Sequence, residues 1–265
     1  MHAAVLLSAL TGLCLLSASY PALACTVKSG PATTALVELF TSEGCSSCPP
    51  ADRQLSSLRG QLTPDAVVVP LALHVTYWDR LGWKDRFAQT LFDTRQRQLL
   101  ERHQRKVAYT PQFFVNGSEL RDWSAGLSDT IRRVNATAAP LTITLKTSTL
   151  KTSTAAAGTV LIEADARAPD PGTVGALYVA LSETALSSQV LRGENQGATL
   201  KHDHTARLWL GPFTLTQGVG AMREQVMLPA SWRRDQLQAV AFVQGPDARI
   251  LQAVSTAQCA TPGGL

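Results

Sequence analysis

The chain is short of charge. Only 17% of its residues are Asp, Glu, Lys or Arg, and the formal net charge is +4. No stretch carries the dense Lys/Arg pattern of a nucleic-acid binder, so no nucleic-acid partner is expected. Low charge combined with 45% hydrophobic residues also argues against extensive disorder. Long apolar runs are missing as well. The longest, Ala3–Ala18, is too short for an ordinary spanning helix, so no membrane span is expected once it is removed. There is no internal repeat, phosphate loop, zinc-protease signature or G-x-S-x-G motif. At 265 residues the chain has room for one large or two modest domains.

The apolar N-terminal run has the form of a secretory signal. Tyr20-Pro21 breaks it, and Ala22-Leu23-Ala24 is an A-x-A cleavage site, although no Lys or Arg precedes the apolar core. Residues 1–24 are therefore expected to be a signal peptide, and the mature protein to be periplasmic or secreted. Cleavage after Ala24 leaves Cys25 first, which raises a lipid anchor as an alternative. Ala22 stands where the lipoprotein signal usually has Leu, so the soluble form is preferred.

Cysteines are few, and their number is informative. Of five, Cys14 leaves with the signal, and Cys25, Cys45, Cys48 and Cys259 remain. An even count in an oxidising compartment suggests pairing. Cys45 pairs naturally with Cys48, leaving Cys25 and Cys259 for a structural disulfide near the termini. On the loop-entropy model such a bridge contributes about 4–5 kcal/mol. If Cys25 is lipidated instead, Cys259 is free.

The chain is organised around residues 35–59. Ala35–Phe40 has the length and composition of a buried strand, and Thr41–Gly44 is a tight turn. Cys45–Pro50 then opens a helix, because prolines are tolerated only in a first turn. Two sulfurs at a strand-to-helix junction lie close to unpartnered helix N–H groups. Thiol pKa values fall there from about 8.5 toward roughly 3.5–7.5. Cys45 is expected to be the exposed attacking sulfur, and Cys48 its partner. The helix runs over residues 50–59 and ends at Gly60.

Val67–Val75 forms a second strand, with Pro70 implying a bulge or an edge. A right-handed crossover makes the pair parallel, which brings His74, Tyr77, Trp78, Asp79 and Trp83 beside Cys45. A basic helix is predicted over residues 87–106, with Arg95 on its solvated face. Phe113–Val115 and Asn116-Gly117 form a hairpin. Thr110-Pro111 before it is a candidate cis bond, against the base rate. Residues 128–137 close this half as a helix. From residue 140 the texture changes to short alternating runs separated by Pro/Gly turns, the pattern of a sandwich or barrel. The expected fold is thus an α/β domain over residues 35–139 followed by an all-β sandwich-like domain over residues 140–259.

The parts of the first half, in order, resemble the thioredoxin fold. More closely, the chain is similar to an exported bacterial family catalogued as a thioredoxin-like domain of unknown function. The likeness rests on Val37 to Asp52, on His74-Val75-Thr76-Tyr77-Trp78-Asp79 with Leu81-Gly82-Trp83, and on Tyr109-Thr110-Pro111-Gln112. It implies a redox-active Cys45–Cys48 pair, a cis Pro111 facing it, and a buried acid at Glu38. The sequence departs from classical thioredoxin at Gly44, where an aromatic residue is usual. It also has no proline between the cysteines, and Glu38 sits one residue further from Cys45.

These residues predict thiol–disulfide exchange with a protein thiol or disulfide and with no bound organic cofactor. Glu38 is expected to relay a proton for Cys48, against the alternative of a buried salt bridge. His74 either lowers a thiol pKa or sits hydrogen-bonded in a polar corner. His202-Asp203-His204 is assigned to a solvated turn or strand edge rather than to a metal, and Glu194-Asn195 to turn chemistry. Two rival readings stay open. In one, Cys45, Cys48 and His74 hold copper(I) or zinc. In the other, the disulfide is only structural, in a binding module.

Overall fold

The computed structural model describes residues 24–149 and 158–259. The expected signal lies outside them except for Ala24, which opens β1 (Ala24–Lys28). Nothing in the sequence pattern had marked that strand. Next come β2 (Ala35–Thr41), α1 (Pro49–Ser57) and β3 (Val68–His74), the expected strand, helix and strand. After α2 (Thr90–Arg102) follow the hairpin β4 (Gln112–Val115) and β5 (Ser118–Leu120), and then α3 (Trp123–Asn135). The remainder is strand: β6 (Thr142–Thr149), β7 (Thr159–Arg167), β8 (Ala176–Glu183), β9 (Leu186–Gln189) and β10 (Thr199–His202), then β11 (Thr205–Thr214), β12 (Val219–Met227), β13 (Leu237–Gln244) and β14 (Ile250–Ser255).

Eight strands make one sheet in the order β14-β13-β8-β11-β3-β2-β4-β5. β2 is buried along its whole length and parallel to β3, which is why its sequence is a continuous apolar run rather than an alternation. The sheet crosses residue 140 without a break, because Thr205 of β11 pairs with Ala72 of β3. The change of texture there marks a change of strand type and not a gap between sheets.

Side chains sort cleanly to the two faces of this sheet. Leu36, Phe40, Leu71, Phe242 and Ala253 meet Phe92, Leu99 and Leu100 of α2 on one face. On the other, Val37, Leu39 and Phe113 lie under Ala51 and Leu55 of α1, Leu58 beyond it, and Leu127 and Ile131 of α3. Each such buried leucine is worth about 1.5–3 kcal/mol over an exposed one. Further along this second face, Val179, Leu181, Ala239 and Ala241 pack against Ile143, Leu145, Val160 and Ile162. Those belong to a four-stranded sheet, β1-β6-β7-β12. Cys25 of β1 is joined by a disulfide to Cys259, just beyond β14. The bond ties the edges of the two sheets together and takes the sulfur that a lipid thioether would need.

Pro70 breaks no ladder. The Ala72 N–H points to β11 and donates to the His204 carbonyl at 2.8 Å, so the position two residues earlier faces the same way. There β11 has not yet joined the sheet, and no donor is needed. In the β4–β5 turn, Asn116 and Gly117 both have positive φ, 47° and 84°. A Cβ on Gly117 would stand 2.1 Å from the Ala248 carbonyl oxygen, so only glycine fits.

The predicted 87–106 helix starts later, at Thr90, because the Asp85 carboxylate takes the Phe87 N–H at 2.8 Å and fixes a turn ahead of it. Arg95 is not on a solvated face. It is buried and forms a two-pronged ion pair with Glu38. Its guanidinium lies over the rings of Trp209, Phe242 and Tyr178 at 4.8, 5.2 and 5.8 Å.

Candidate functional site

Cys48 is the N-cap of α1, with Pro49 and Pro50 in the first turn. The Cys48 N–H donates to the Cys45 carbonyl at 3.2 Å, and Ala51 and Asp52 donate to the Cys48 carbonyl at 2.9 and 3.0 Å. This turn brings the two sulfurs together, and they form a disulfide. The prolines remove two of the N–H groups that a helix start would otherwise present to a thiolate. The contact at the Cys45 sulfur is the Ser47 hydroxyl, 3.4 Å away.

Neither sulfur is exposed. Cys45 and Cys48 both have 0% of their surface accessible, which corrects the expectation of an exposed Cys45. The far half of the chain packs against this turn. β9 and β10 form a two-stranded hairpin of their own, and its loop lies over the Cys45 turn. The Asn195 side-chain amide donates to the carbonyls of Glu43 and Cys45, at 2.9 Å each. The Glu194 carboxylate accepts from the N–H and the hydroxyl of Ser46, at 3.0 and 2.8 Å. These are contacts between distant parts of the chain, where the sequence had suggested only local turn chemistry.

Pro111 stands at the same end of the sheet. The Thr110-Pro111 bond is cis, and Gln112 just after it pairs with Phe40 near the end of β2. Trp78 connects the two loops. Its indole N–H donates to the Thr110 hydroxyl at 2.7 Å, and its Cβ lies against Gly44. A Cβ on Gly44 would come within 3.2 Å of that atom, so any side chain before Cys45 requires the Trp78 loop to give by a few tenths of an ångström.

Glu38 is not brought to the cysteines. It alternates with Val37 and Leu39, so it faces α2 while α1 lies on the other side of the sheet. The buried ion pair with Arg95 takes the place of the expected proton relay. The acid on the helix that carries Cys48 is Asp52, which the spacing of Leu55 and Leu58 assigns to the wet side of that helix. It follows Cys48 by four residues, the spacing that places two side chains on one helix face. That spacing was the available signal. Asp52 accepts a bond from the Thr41 hydroxyl at 2.8 Å. Burial raises its pKa, against the partial compensation of His74 and of Thr41.

His74 ends β3 opposite Thr41, at the same end as Asp52, so the prediction that it lies on this edge agrees with its position. Its Nδ1 is 2.7 Å from Asp85 Oδ2. Burial is the largest single influence and lowers the His74 pKa, but the charge and hydrogen bond of Asp85, with the charges of Asp52 and Glu43, together bring the net shift upward. The Asp85 pKa moves down for the same reason, despite its own burial. Asp85 also accepts from the Glu43 N–H at 2.9 Å.

His202 is buried, not solvated. It lies 3.2 Å from Glu43 Oε1, and its ring centroid is 5.1 Å from that of His74. Glu43 further accepts from the Trp83 indole N–H at 2.8 Å. Burial pushes its pKa up, yet these donors bring the net shift below the ordinary value. Two histidine–carboxylate pairs thus sit beneath the cysteine turn, one within the first half of the chain and one joining the two halves. Among the described residues, no three His, Cys, Asp or Glu side chains are arranged to hold a metal ion. Nor is any helix among them long and apolar enough to cross a membrane. A cleft of about 660 Å³, lined by Arg95, Arg102, Tyr178 and Gln244, lies on the α2 side of the sheet.

A protein family described as "Protein of unknown function (DUF1223)" matches residues 36–244. No protein of curated function is significantly similar to the chain. Two solved structures are. A crystal structure of a protein from Agrobacterium tumefaciens is 24% identical, with a TM-score of 0.58, over 86% of this chain and 95% of that one. HBP35 of Porphyromonas gingivalis is 16% identical, with a TM-score of 0.63, over 86% of this chain and 76% of that one. At these identities the likeness concerns the fold alone.

Proposed function

The chain belongs to this family of unknown function, and we propose that it is a thioredoxin-like thiol–disulfide oxidoreductase of an exported protein class. The observation that carries the reading is the Cys45–Cys48 disulfide at a strand-to-helix turn, on the same sheet edge as the cis Thr110-Pro111 bond. A second disulfide, Cys25–Cys259, supports an oxidising compartment. The substrate is a protein dithiol or disulfide.

In the oxidising direction a substrate thiolate attacks the Cys45 sulfur. The Cys45–Cys48 bond breaks, and its electron pair leaves on the Cys48 sulfur, which takes up a proton. The substrate's second thiolate then attacks its own sulfur in the mixed disulfide and releases Cys45 as a thiolate. Two electrons pass from substrate to protein; of the two protons the substrate dithiol gives up, one ends on Cys48 and the other goes to solvent, and the substrate leaves as a disulfide. The reverse sequence reduces a substrate. Asp52, on the helix that carries Cys48 and with its pKa raised by burial, is the group we assign to exchange the Cys48 proton.

The test is an equilibrium titration of the mature protein in graded glutathione buffers, followed by alkylation and mass analysis of the peptide holding both cysteines. A reversible midpoint between about −120 and −270 mV is expected. A pair that stays oxidised below roughly −300 mV would be a structural disulfide, and the enzyme reading would be lost.

A further inference from the structure

A fully buried disulfide cannot be attacked. Displacement at sulfur needs the incoming atom in line with the S–S bond, and both sulfurs here have 0% exposure. An exchanging pair in this fold therefore needs something to move. The β9–β10 hairpin is the element suited to it. It forms a separate two-stranded sheet, and its strands pair only with each other.

The hairpin buries Leu186, Val190 and Leu200, whereas its hold on the cysteine turn itself is polar. Asn195 and Glu194 make the four hydrogen bonds to Glu43, Cys45 and Ser46 described above. Behind them, Arg86 donates to the Ser187 carbonyl at 2.8 Å, and His202 meets Glu43 at 3.2 Å. At the tip, Gly193 rests against Trp83 with φ +79°, and Leu191 points outward, 64% exposed. Glu194 is itself exposed, so its bonds to Ser46 compete with water.

The geometry points to Glu194 and Asn195 as positioning residues of the redox site, forming a latch that closes the β9–β10 hairpin over the Cys45–Cys48 disulfide. Exchange proceeds only from the unlatched state, and a protein substrate takes the place vacated by the loop. The latch bonds go to backbone groups and to Ser46 and not to the sulfurs, so they are the same before and after reduction. The latch thus sets rates in both directions and leaves the midpoint alone. This deepens the oxidoreductase reading and rests on it for its physiological sense, but the latch is measurable by itself.

The experiment follows reduction of the mature, oxidised protein by a water-soluble phosphine, with alkylation of the released thiols. The phosphine attacks one sulfur, the S–S bond breaks with its electron pair on the other, and water turns the phosphonium into phosphine oxide and a second thiol. Glu194→Ala and Asn195→Ala are each expected to raise the rate constant about tenfold, the change expected for losing a pair of partly exposed hydrogen bonds. The midpoint is expected to stay at the wild-type value. Glu194 is exposed, so Glu194→Ala leaves the core untouched and reports even if Asn195→Ala folds poorly. Unchanged rates in a well-folded Glu194→Ala protein would overturn the latch. So would rates that rise only in proportion to global unfolding, followed by dependence on denaturant. If the pair exchanges with no protein thiol at any redox poise while the variants still speed phosphine reduction, the oxidoreductase reading falls and the latch stands.

Discussion

His74 shows how one residue's surroundings set its chemistry. Burial lowers its pKa, and the Asp85 carboxylate, helped by the charges of Asp52 and Glu43, brings the net shift upward. With a folded pKa above the unfolded value of about 6.5, the charged ring contributes its full stability below that value. The contribution is lost as the pH rises through the folded pKa. Asp85, shifted down, loses its share only on the acid side, as the pH falls through its depressed pKa. Wild type should therefore lose melting temperature relative to His74→Gln as the pH rises from about 6.5 through the folded pKa. A wild-type-minus-variant difference that stays constant over that range would contradict this account. The position of His74 was legible, because a parallel βαβ unit fixes which strand ends share an edge. Its partner was not, since Asp85 lies in a loop whose path the apolar pattern does not report.

Among the elements, α2 has the least obvious attachment. Its sequence reads as a basic, solvated helix, yet Arg95 enters the interior to meet Glu38 on β2. Removing one partner of a buried ion pair leaves the other charge uncompensated, at a cost of about 3–5 kcal/mol. Glu38→Ala should lower unfolding free energy in urea by that amount while leaving the redox midpoint where it was. A large midpoint shift with little loss of stability would restore Glu38 as the proton relay. Counting from strand parity alone places Glu38 on the face away from Val37 and Leu39. Knowing that α1 covers the latter face needs the packing. The Asn116-Gly117 hairpin, by contrast, was fully legible, because its turn chemistry is local.

For the whole molecule, the two halves are one body. An eight-stranded sheet runs through both, and the Cys25–Cys259 disulfide ties its last strand to the smaller sheet. The bonded residues are 234 apart in sequence, so the bridge encloses nearly all of the described chain. Replacing both by serine should cost about 4–5 kcal/mol in denaturant unfolding on the loop-entropy model. The midpoint of the Cys45–Cys48 pair should not change, because the two disulfides lie at different parts of the fold. A shifted midpoint in a folded double variant would mean that the two disulfides are coupled.

The sequence by itself determined the local pieces: the strand into the cysteine turn, the proline-bearing helix start, the hairpin, the alternating strands after residue 140, and the cysteine count. Each follows from spacing or turn chemistry within a few residues. Only the tertiary structure decided that β11 joins β3, that Glu38 is spent on Arg95, that Asp52 meets Thr41, and that Glu194, Asn195 and His202 complete the site. Asn195 stands 152 residues from Glu43, and His202 further still. No periodicity records such a distance, because side-chain patterning reports which face is buried and not what buries it.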